Sequence, residues 1–307
     1  MTALPRELLD WEARGEYLRL GPHRLYAQSI GARAATADRT LLLIHGFPES
    51  SFSFHRNVDA LARRFDRVVL VDLLGFGLSD KPTDFSYSLF EQADLLLEAW
   101  RALGVTGGHL LGHDMGDSVV TELVAREVRG LLPGWLAGGL RSLTFTDGNM
   151  VIELARLRIS QSLLRVPWLG AIFGRLSRFR LFAAQVRSAS GGTIPPREIE
   201  LMWAALRHNQ GQLNLHRIIG YLDERDRFQD GRWLPALAAT TLPIHLCWGA
   251  ADSVSPPSVA EHLKSKVCPG ARLTLLPAVG HFGALESPDA WNEAVLRFWD
   301  ELPPDRA

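Results

Sequence analysis

An aspartate between two glycines is the feature of this sequence whose type and spacing best suit catalysis. Asp114 lies in the run Gly112-His113-Asp114-Met115-Gly116, which follows a predicted strand and begins a predicted helix. Small residues at both ends of such a run permit a tight strand-to-helix turn that exposes the central side chain. Serine is the usual central residue, and a carboxylate there predicts attack on a saturated carbon and an ester between protein and substrate. Taken alone, the run also fits an ordinary turn or a helix N-cap.

Two further residues follow Asp114 in the chain order of a nucleophile, an acid and a histidine. Asp252 comes directly after a predicted strand, and His281 comes after the next one. Because the carboxyl ends of parallel strands share one edge of a sheet, we expect the three side chains to meet there. His281 is then the general base that activates water, and Asp252 orients its ring. Asp147, at the end of an earlier strand, is the alternative acid.

Backbone amides at two positions predict an oxyanion hole. The loop of residues 45–50, with the sequence HGFPES, follows the first core strand. The amide of Phe47 in this loop can join the amide of Met115, which directly follows Asp114. Together they would stabilise negative charge that develops on an oxygen of Asp114. An ordinary Gly-Pro loop is the alternative interpretation.

Alternating strand and helix patterns predict the elements that position these residues. Short β-rich runs separated by helical stretches favour an α/β fold with a mostly parallel central sheet flanked by helices. Core strands are predicted at residues 41–44, 68–72, 109–111, 143–146, 244–248 and 273–276, with antiparallel edge strands at 24–30 and 17–20. Helices are predicted at residues 56–65, 89–103, 115–129, 152–164, 196–207 and 291–299.

The alternation stops between residues 150 and 236, where helical runs occur without a clear strand. This segment has 13 arginines and 7 acidic residues, a balance of +6, whereas the rest has 20 basic and 27 acidic residues, a balance of −7. Such a change of composition between two strands predicts a helical insertion over one end of the sheet. We therefore divide the chain into an N-terminal core part (1–149), a helical cap (150–236) and a C-terminal core part (237–307).

Length and composition exclude several classes of protein. The chain has 307 residues, of which 47% are hydrophobic and 22% charged, and its formal net charge is −1. These values are typical of a globular protein and provide no general attraction for nucleic acid. The two cysteines, Cys247 and Cys268, are too few for a disulfide scaffold, and no metal-ligand spacing occurs. We therefore expect no metal and no cofactor.

The same sequence predicts where the protein works. No stretch reaches the roughly 18 apolar residues of a membrane span. The N-terminal residues 1–20 carry charges of both signs and do not resemble a signal peptide. We therefore expect a cytoplasmic protein whose partners are a small hydrophobic substrate and water, and a homodimer is left open.

The motifs carry a resemblance to a known family. The loop 45–50, the run Gly112-His113-Asp114 and the sequence LGFGLSDKP at 74–82 resemble the α/β-hydrolase superfamily, in its epoxide hydrolase and haloalkane dehalogenase branch. Similarity to hydrolases like the mesoderm-specific transcript protein lies in three short sequences: HDMGD at 113–117, MWA at 202–204 and GYL at 220–222. The resemblance implies an α/β-hydrolase fold with an inserted helical cap and an Asp-His-Asp triad.

The leaving group separates the substrate classes, and the resemblance supplies the expectation. Epoxide hydrolases donate a proton from two cap tyrosines, and His216 stands where the second would be. Tyr221 is the only tyrosine of the predicted cap, so both residues are candidate donors. Haloalkane dehalogenases hold the halide with a tryptophan after the nucleophile and often an asparagine in the oxyanion loop. Met115 and Phe47 occupy those two positions here.

An epoxide hydrolase that acts on a hydrophobic epoxide is therefore the first interpretation. A haloalkane dehalogenase-like hydrolase is the alternative, and a carboxylesterase ranks third because a carboxylate is a poor nucleophile for ordinary esters. A non-catalytic binding protein with the α/β-hydrolase fold would also explain the missing donors. The presence of all three triad residues argues against that last interpretation.

Aromatic residues of the predicted cap, with one from the core, predict an apolar substrate pocket. They are Trp168, Phe182, Trp203 and Phe282. The alternative is that these side chains pack the cap on the core. Residues 154–182 also interleave arginines with apolar residues. This stretch fits a solvated helix face or a dimer contact, and contact with a membrane surface or a partner is a second interpretation.

Overall fold

Eight strands form one central sheet in this computed structural model, which describes residues 3–303. In chain order they are β1 (Glu16–Leu20), β2 (His23–Gly31), β3 (Thr40–Ile44), β4 (Arg67–Val71), β5 (Gly107–His113), β6 (Gly139–Thr146), β7 (Ile244–Gly249) and β8 (Arg272–Leu276). Their order across the sheet is β1-β2-β4-β3-β5-β6-β7-β8. The pairs β1–β2 and β2–β4 are antiparallel, and all the other pairs are parallel. The predicted mostly parallel sheet and its antiparallel edge are confirmed.

Helices connect the strands and cover the sheet. They are α1 (Arg6–Glu12), α2 (Val58–Arg64), α3 (Leu89–Ala102), α4 (Met115–Val128), α5 (Ile159–Leu164), α6 (Pro167–Leu176), α7 (Phe179–Ala189), α8 (Pro196–Arg207), α9 (Leu215–Ile218), α10 (Tyr221–Phe228), α11 (Leu234–Ala239), α12 (Pro257–His262), α13 (Gly283–Glu286) and α14 (Pro288–Asp300). Five of the six predicted helices have counterparts here, in α2, α3, α4, α8 and α14.

The predicted helix over residues 152–164 is much shorter than expected. Only α5, which begins at Ile159, remains helical in this stretch. The Arg156 amide donates to the carbonyl of Val254 at 3.0 Å, and Arg158 has extended backbone angles. Apolar spacing did not reveal this difference because the bond to Val254 joins segments about a hundred residues apart.

Both faces of the sheet are buried, which explains the continuous apolar runs of its central strands. Alternate residues of β3 point to opposite faces. Leu42 and Ile44 belong to the hydrophobic cluster that includes buried residues of α3 and α4. Leu41 and Leu43 belong to a second cluster, with residues of α2 and α14. The two clusters thereby hold β3 and β5 as neighbouring inner strands of the sheet.

The segment between β6 and β7 is entirely helical or irregular. It contains α5 to α11, and residues 147–243, all of them described, contain no strand. This composition agrees with an inserted cap, and the limits of the three parts of the chain stay a prediction. Within residues 3–303, no helix combines the length and apolar character needed to cross a bilayer.

Candidate active site

Asp114 occupies a strained turn between β5 and α4. Its backbone angles are φ 48° and ψ −110°, in a region that L-residues rarely adopt. A Cβ at Gly112 would lie 2.6 Å from Oδ1 of Asp117, and one at Gly116 would lie 2.3 Å from the carbonyl oxygen of Ile44. A side chain at either position would collide with these atoms, which explains why both residues are glycine. The turn brings the Asp114 carboxylate to the carboxyl end of the sheet.

The other two predicted triad residues meet Asp114 at this edge. Nδ1 of His281 lies 2.8 Å from Oδ2 of Asp252, and Nε2 lies 3.9 Å from Oδ1 of Asp114. The first contact is a hydrogen bond, whereas the second is too long for one. The other oxygen of Asp252 accepts the amides of Val254 and Ser255 at 2.7 and 3.1 Å. The imidazole is therefore fixed at one nitrogen and directs the other toward Asp114.

Asp147, the alternative acid, lies nearby with a different partner. Its Oδ1 accepts the amide of Gly249 at 2.8 Å. Burial and the charge of Asp252 raise the pKa of Asp147 well above its usual range. The hydrogen bond of His281 Nδ1 is with Asp252. The geometry thus favours Asp252 as the acid.

One of the two predicted oxyanion amides contacts the carboxylate of Asp114. The Phe47 amide donates to Oδ2 of Asp114 at 2.9 Å. Met115 is the first residue of α4, where backbone amides have no partner within the helix. Asp72 holds the Phe47 loop in place, because its two oxygens accept the amides of Ser51 and Leu78, each at 2.7 Å. The loop with the sequence LGFGLSDKP therefore supports the site structurally.

The charges around His281 favour its protonated form. Burial acts to lower the pKa of His281, but the charges of Asp252 and Asp114 and the bond to Asp252 outweigh burial and raise it to about 9. In the free protein His281 is therefore an imidazolium beside Asp114. Neutralisation of Asp114 would remove one of the causes of this shift.

A second buried carboxylate–histidine pair adjoins the triad, and sequence analysis assigned it no role. Nε2 of His113 lies 2.9 Å from Oε2 of Glu49, and the rings of His113 and His281 are 5.2 Å apart between centroids. Burial opposes the charge of His113, but Glu49 outweighs burial and raises the His113 pKa to about 9. Glu49 and His113 both occur in the motifs quoted above, and His113 directly precedes Asp114. This position next to the candidate nucleophile was the sequence signal that could have pointed to the pair.

A cavity opens beside Asp114 and His281. The empty space between its walls is about 720 Å³ when the open solvent at its mouth is included. Its lining is mostly apolar and includes Phe47, Phe173, Phe182, Leu215, Val254 and Phe282. Two of the four predicted pocket residues, Phe182 and Phe282, are therefore in the cavity wall.

The other two predicted pocket residues lie elsewhere. Trp168 is 66% exposed on the outer face of α6 and is absent from the cavity wall. Trp203 packs behind the wall, with its ring 5.2 Å from that of Phe182 between centroids. Neither side chain is in the cavity wall, because residue type does not show which face of a helix is turned inward.

The two candidate donors differ sharply in their surroundings. His216 packs closely against α6, because a Cβ added at Gly170 would lie 2.7 Å from the Cβ of His216. The His216 side chain does not line the cavity. Burial and the charge of Arg217 lower the pKa of His216. Tyr221 is fully buried, with its ring 6.1 Å from that of Phe47. Neither residue lines the cavity, but Tyr221 lies beside Phe47, whose amide contacts Asp114.

The Tyr221 hydroxyl is left without a well-formed hydrogen bond among residues 3–303, although Asn149 lies close to it. Burial and the charge of Asp114 raise the pKa of Tyr221 well above its usual range. A buried hydroxyl whose hydrogen bond is poorly formed is costly, so this group can donate to an acceptor that a substrate supplies. The Tyr221 ring also packs beside Phe47, whose amide contacts the candidate nucleophile Asp114.

Arg225, one turn after Tyr221 on α10, also lies buried behind the turn at Asp114. Its Nε donates to Oγ of Ser118 at 2.6 Å, and burial lowers the Arg225 pKa to about 10. Asp117, a neighbour of this arginine, has a pKa raised well above its usual range by burial. Sequence analysis missed both residues because their proximity depends on how α10 packs on α4.

Comparison with known proteins identifies the fold and several relatives. A family model described as the alpha/beta hydrolase fold matches residues 39–288. The human mesoderm-specific transcript homolog protein is 34% identical over 95% of this chain and 87% of its own length. The putative hydrolase LipZ of Mycobacterium tuberculosis is 37% identical over 94% of this chain and 96% of its own.

Solved structures agree at the level of the fold. A haloalkane dehalogenase, DbeA from Bradyrhizobium elkani, superposes with a TM-score of 0.76 at 22% identity, over 93% of this chain and 97% of its own. An alpha/beta hydrolase fold protein from Burkholderia ambifaria gives a TM-score of 0.74 at 24% identity, over 92% and 97%. At these identities the likeness concerns the backbone alone.

Proposed function

Because the chain belongs to the α/β-hydrolase fold family and is a hydrolase of that family, we propose that it converts a hydrophobic epoxide to a diol through an ester of Asp114. The observation that carries the proposal is the 3.9 Å approach of His281 to a carboxylate that stands where related hydrolases have serine. No Ser, Thr or Cys hydroxyl or thiol is available at that position for acyl transfer.

The first step is the opening of the ring. An oxygen of Asp114 attacks a ring carbon, and the carbon–oxygen bond of the epoxide breaks with its electron pair moving to the ring oxygen. Tyr221 donates its proton to that oxygen, which gives a hydroxyl and an ester of Asp114. The proton on His281 then restores the tyrosine, and the imidazole becomes neutral.

The second step is hydrolysis of the ester. Neutral His281 removes a proton from water, and the resulting hydroxide attacks the carbonyl carbon of the ester. Negative charge develops on an oxygen of Asp114, where the amides of Phe47 and Met115 stabilise it. Collapse of this intermediate expels the diol as an alkoxide, which takes the proton from His281. The carboxylic acid left on Asp114 then passes its proton to His281, which restores the Asp114 carboxylate and the imidazolium. The sum is epoxide plus water to diol.

An epoxide is favoured over a haloalkane because of the available donors. The side chains of Phe47 and Met115 cannot donate a hydrogen bond to a halide. The buried hydroxyl of Tyr221 suits an oxygen that becomes an alkoxide. The apolar lining of the cavity supports a substrate with little charge. A haloalkane dehalogenase-like reaction is the second candidate, since it would use the same attack by Asp114.

The decisive experiment is capture of the ester in the His281→Gln variant. We expect a panel of apolar epoxides to give a stable adduct by intact mass spectrometry, located on Asp114 by peptide mapping. An epoxide adds its whole mass, whereas a haloalkane adds its alkyl group without the halogen, so the mass distinguishes the two reactions. In the wild type, a single turnover in ¹⁸O-water should place the label on Asp114 and leave the diol unlabelled.

The matched control carries Asp114→Asn together with His281→Gln and should form no adduct. Adducts from haloalkanes alone would replace the epoxide proposal by its alternative. No adduct and no turnover across both panels would favour a non-catalytic binding protein. Hydrolysis of simple esters by an active Asp114→Ala variant would remove the mechanism entirely.

A further inference from the structure

Exposed apolar side chains are concentrated on one part of the surface, which we call the cap face and define as residues 159–181. Twelve large hydrophobic residues are exposed in the described part of the chain, and seven of them lie in this short segment. They are Ile159, Leu163, Val166, Trp168, Ile172, Leu176 and Leu181. Scattered exposed apolar residues need no explanation, but a contiguous patch marks an interaction surface.

The orientation of α6 shows that this exposure is organised. Trp168, Ile172 and Leu176 recur every four residues and therefore form one stripe along the helix. Their exposed fractions are 66%, 50% and 66%. In a helix that only covers a core, such a stripe would face inward. Here it faces solvent, while Phe173 of the same helix lines the cavity.

The charged residues of the segment around the cap face are all arginines. Residues 154–197 contain eight arginines and no aspartate or glutamate. Arg165 and Arg197 pair with acidic residues outside the segment. Arg175, Arg178 and Arg180 are exposed and make no ion pair within residues 3–303. The cap face therefore combines exposed apolar side chains with unneutralised positive charge.

The combination of exposed apolar side chains and positive charge distinguishes two possible partners of the cap face, a second copy of this chain and a lipid surface. A homodimer through the cap face would place the same patch on both subunits and bring its arginines opposite one another. An anionic lipid surface accepts the apolar side chains between its acyl chains and attracts the guanidinium groups at its headgroups. We propose that the cap face binds the surface of a bilayer that contains anionic phospholipids, without crossing it.

Contact between the cap face and a membrane would place the cavity close to the lipid. The inference that this helps substrate reach the cavity rests on the proposed function. Arg158, Ser160, Phe173 and Ser177 line the cavity and lie within or next to the cap face. A protein bound through that face would hold the cavity wall at the lipid surface, where apolar substrates are concentrated. Membrane binding itself does not depend on the chemistry at Asp114, so the two proposals fail separately.

The test is flotation of the full-length protein with vesicles of phosphatidylcholine, with and without phosphatidylserine. We expect binding to the anionic vesicles and its loss as salt is raised, since screening weakens the charge contribution. The variant Arg175→Gln/Arg178→Gln/Arg180→Gln should weaken binding by roughly fivefold for each arginine removed. The variant Trp168→Ser/Ile172→Ser/Leu176→Ser should weaken it by roughly tenfold or more.

Matched controls use exposed residues away from the cap face. Arg63→Gln/Arg101→Gln/Arg129→Gln removes the same charge, and Leu9→Ser/Leu131→Ser removes exposed apolar side chains. Both should bind as the wild type does. Trp168 also serves as a reporter: lipids brominated in their acyl chains should quench its fluorescence, and this quenching should vanish in Trp168→Phe. Retained hydrolase activity and circular dichroism establish that the variants are folded.

Three outcomes overturn the proposal. The wild type fails to float with anionic vesicles, or it floats equally well after either cap-face substitution. Alternatively, sedimentation shows a dimer that the Trp168→Ser/Ile172→Ser/Leu176→Ser variant abolishes while no vesicle binding occurs, which assigns the cap face to a second copy of this chain.

Discussion

The charge on Asp114 controls the proton that His281 carries. In the free protein, His281 has a pKa of about 9, because the charges of Asp252 and Asp114 outweigh burial. Formation of an ester removes the charge of Asp114 and with it part of this stabilisation of the imidazolium. The proposed first step thus prepares the general base for the second. A neighbouring serine would have no such effect, since it carries no charge before reaction.

Tyr221 is the residue whose removal should affect the first step alone. In Tyr221→Phe we expect the rate of ring opening in a single turnover to fall by roughly 100-fold or more, because general acid catalysis of the leaving oxygen is lost. Rapid quench and mass spectrometry of the ester would measure this rate. Hydrolysis of ester already formed should change little.

The matched control is His216→Gln, which removes the other candidate donor of the predicted cap. The charges that shift the pKa of His216 are those of Arg217 and Arg175 and do not include Asp114, so we expect near wild-type ring opening. Equal rates in Tyr221→Phe and wild type would exclude the tyrosine as the acid. A large loss in His216→Gln instead would require a cap position different from the one described here.

At the scale of elements, one strand-to-helix turn carries the geometry of the site. Gly116 packs its Cα against the end of β3, so α4 can begin beside the oxyanion loop. The same close contact keeps the amide of Phe47 at 2.9 Å from Asp114. Backbone strain at Asp114 persists because both neighbours, β3 and β5, are buried in the sheet.

Gly116→Ala tests this dependence. The new Cβ would lie 2.3 Å from the carbonyl oxygen of Ile44, which must move or push α4 away. We expect the free energy of unfolding to fall by roughly 1–3 kcal/mol, as for overpacked sites, and turnover to fall at least tenfold. Chemical denaturation and steady-state kinetics give the two values.

Gly134→Ala is the corresponding control, because a Cβ there meets no atom within 4 Å. Its stability should be unchanged or slightly increased, since alanine restricts the unfolded chain. Equal stability and turnover for the two alanine variants would show that the tight packing at Gly116 is unimportant.

At the scale of the whole molecule, buried charges tie stability to pH. The folded-state pKa values of His113 and His281 are raised from 6.5 to about 9. Folding therefore favours protonation of both, and their contribution is fully present below pH 6.5 and is lost as pH rises through about 9. Asp117 and Asp147, whose pKa values are also raised, change stability in the same direction.

We predict that the free energy of unfolding of the wild type falls between pH 6.5 and about 9. Glu49→Gln should show a smaller fall, because the charge that raises the His113 pKa is gone. The measurement is chemical denaturation across this range, with Glu301→Gln on the surface as the control for loss of a carboxylate. An identical pH dependence in Glu49→Gln and wild type would contradict the role of the buried pair.

The amino-acid sequence by itself determined the sheet, the turn at Asp114 and the order of the triad. Strand and helix periods are local properties, and the carboxyl ends of parallel strands must lie at one edge, so Asp114, Asp252 and His281 were bound to approach each other. Gly112 and Gly116 likewise indicated that other atoms approach the backbone closely at these positions, although the sequence did not identify those atoms. The role of the Phe47 amide could also be predicted from the sequence, because its loop directly follows β3.

Only the tertiary structure decided which side chains face the cavity and which face solvent. Tyr221 and His216 are both helical residues of the same segment, yet only Tyr221 packs beside Phe47. Trp168 and Phe182 are both aromatic, yet the first is exposed and the second lines the cavity. The pairing of Glu49 with His113 also joins distant parts of the chain. The rotation of a helix about its axis is fixed by the partners it packs against, and these contacts are not encoded in residue type or local spacing.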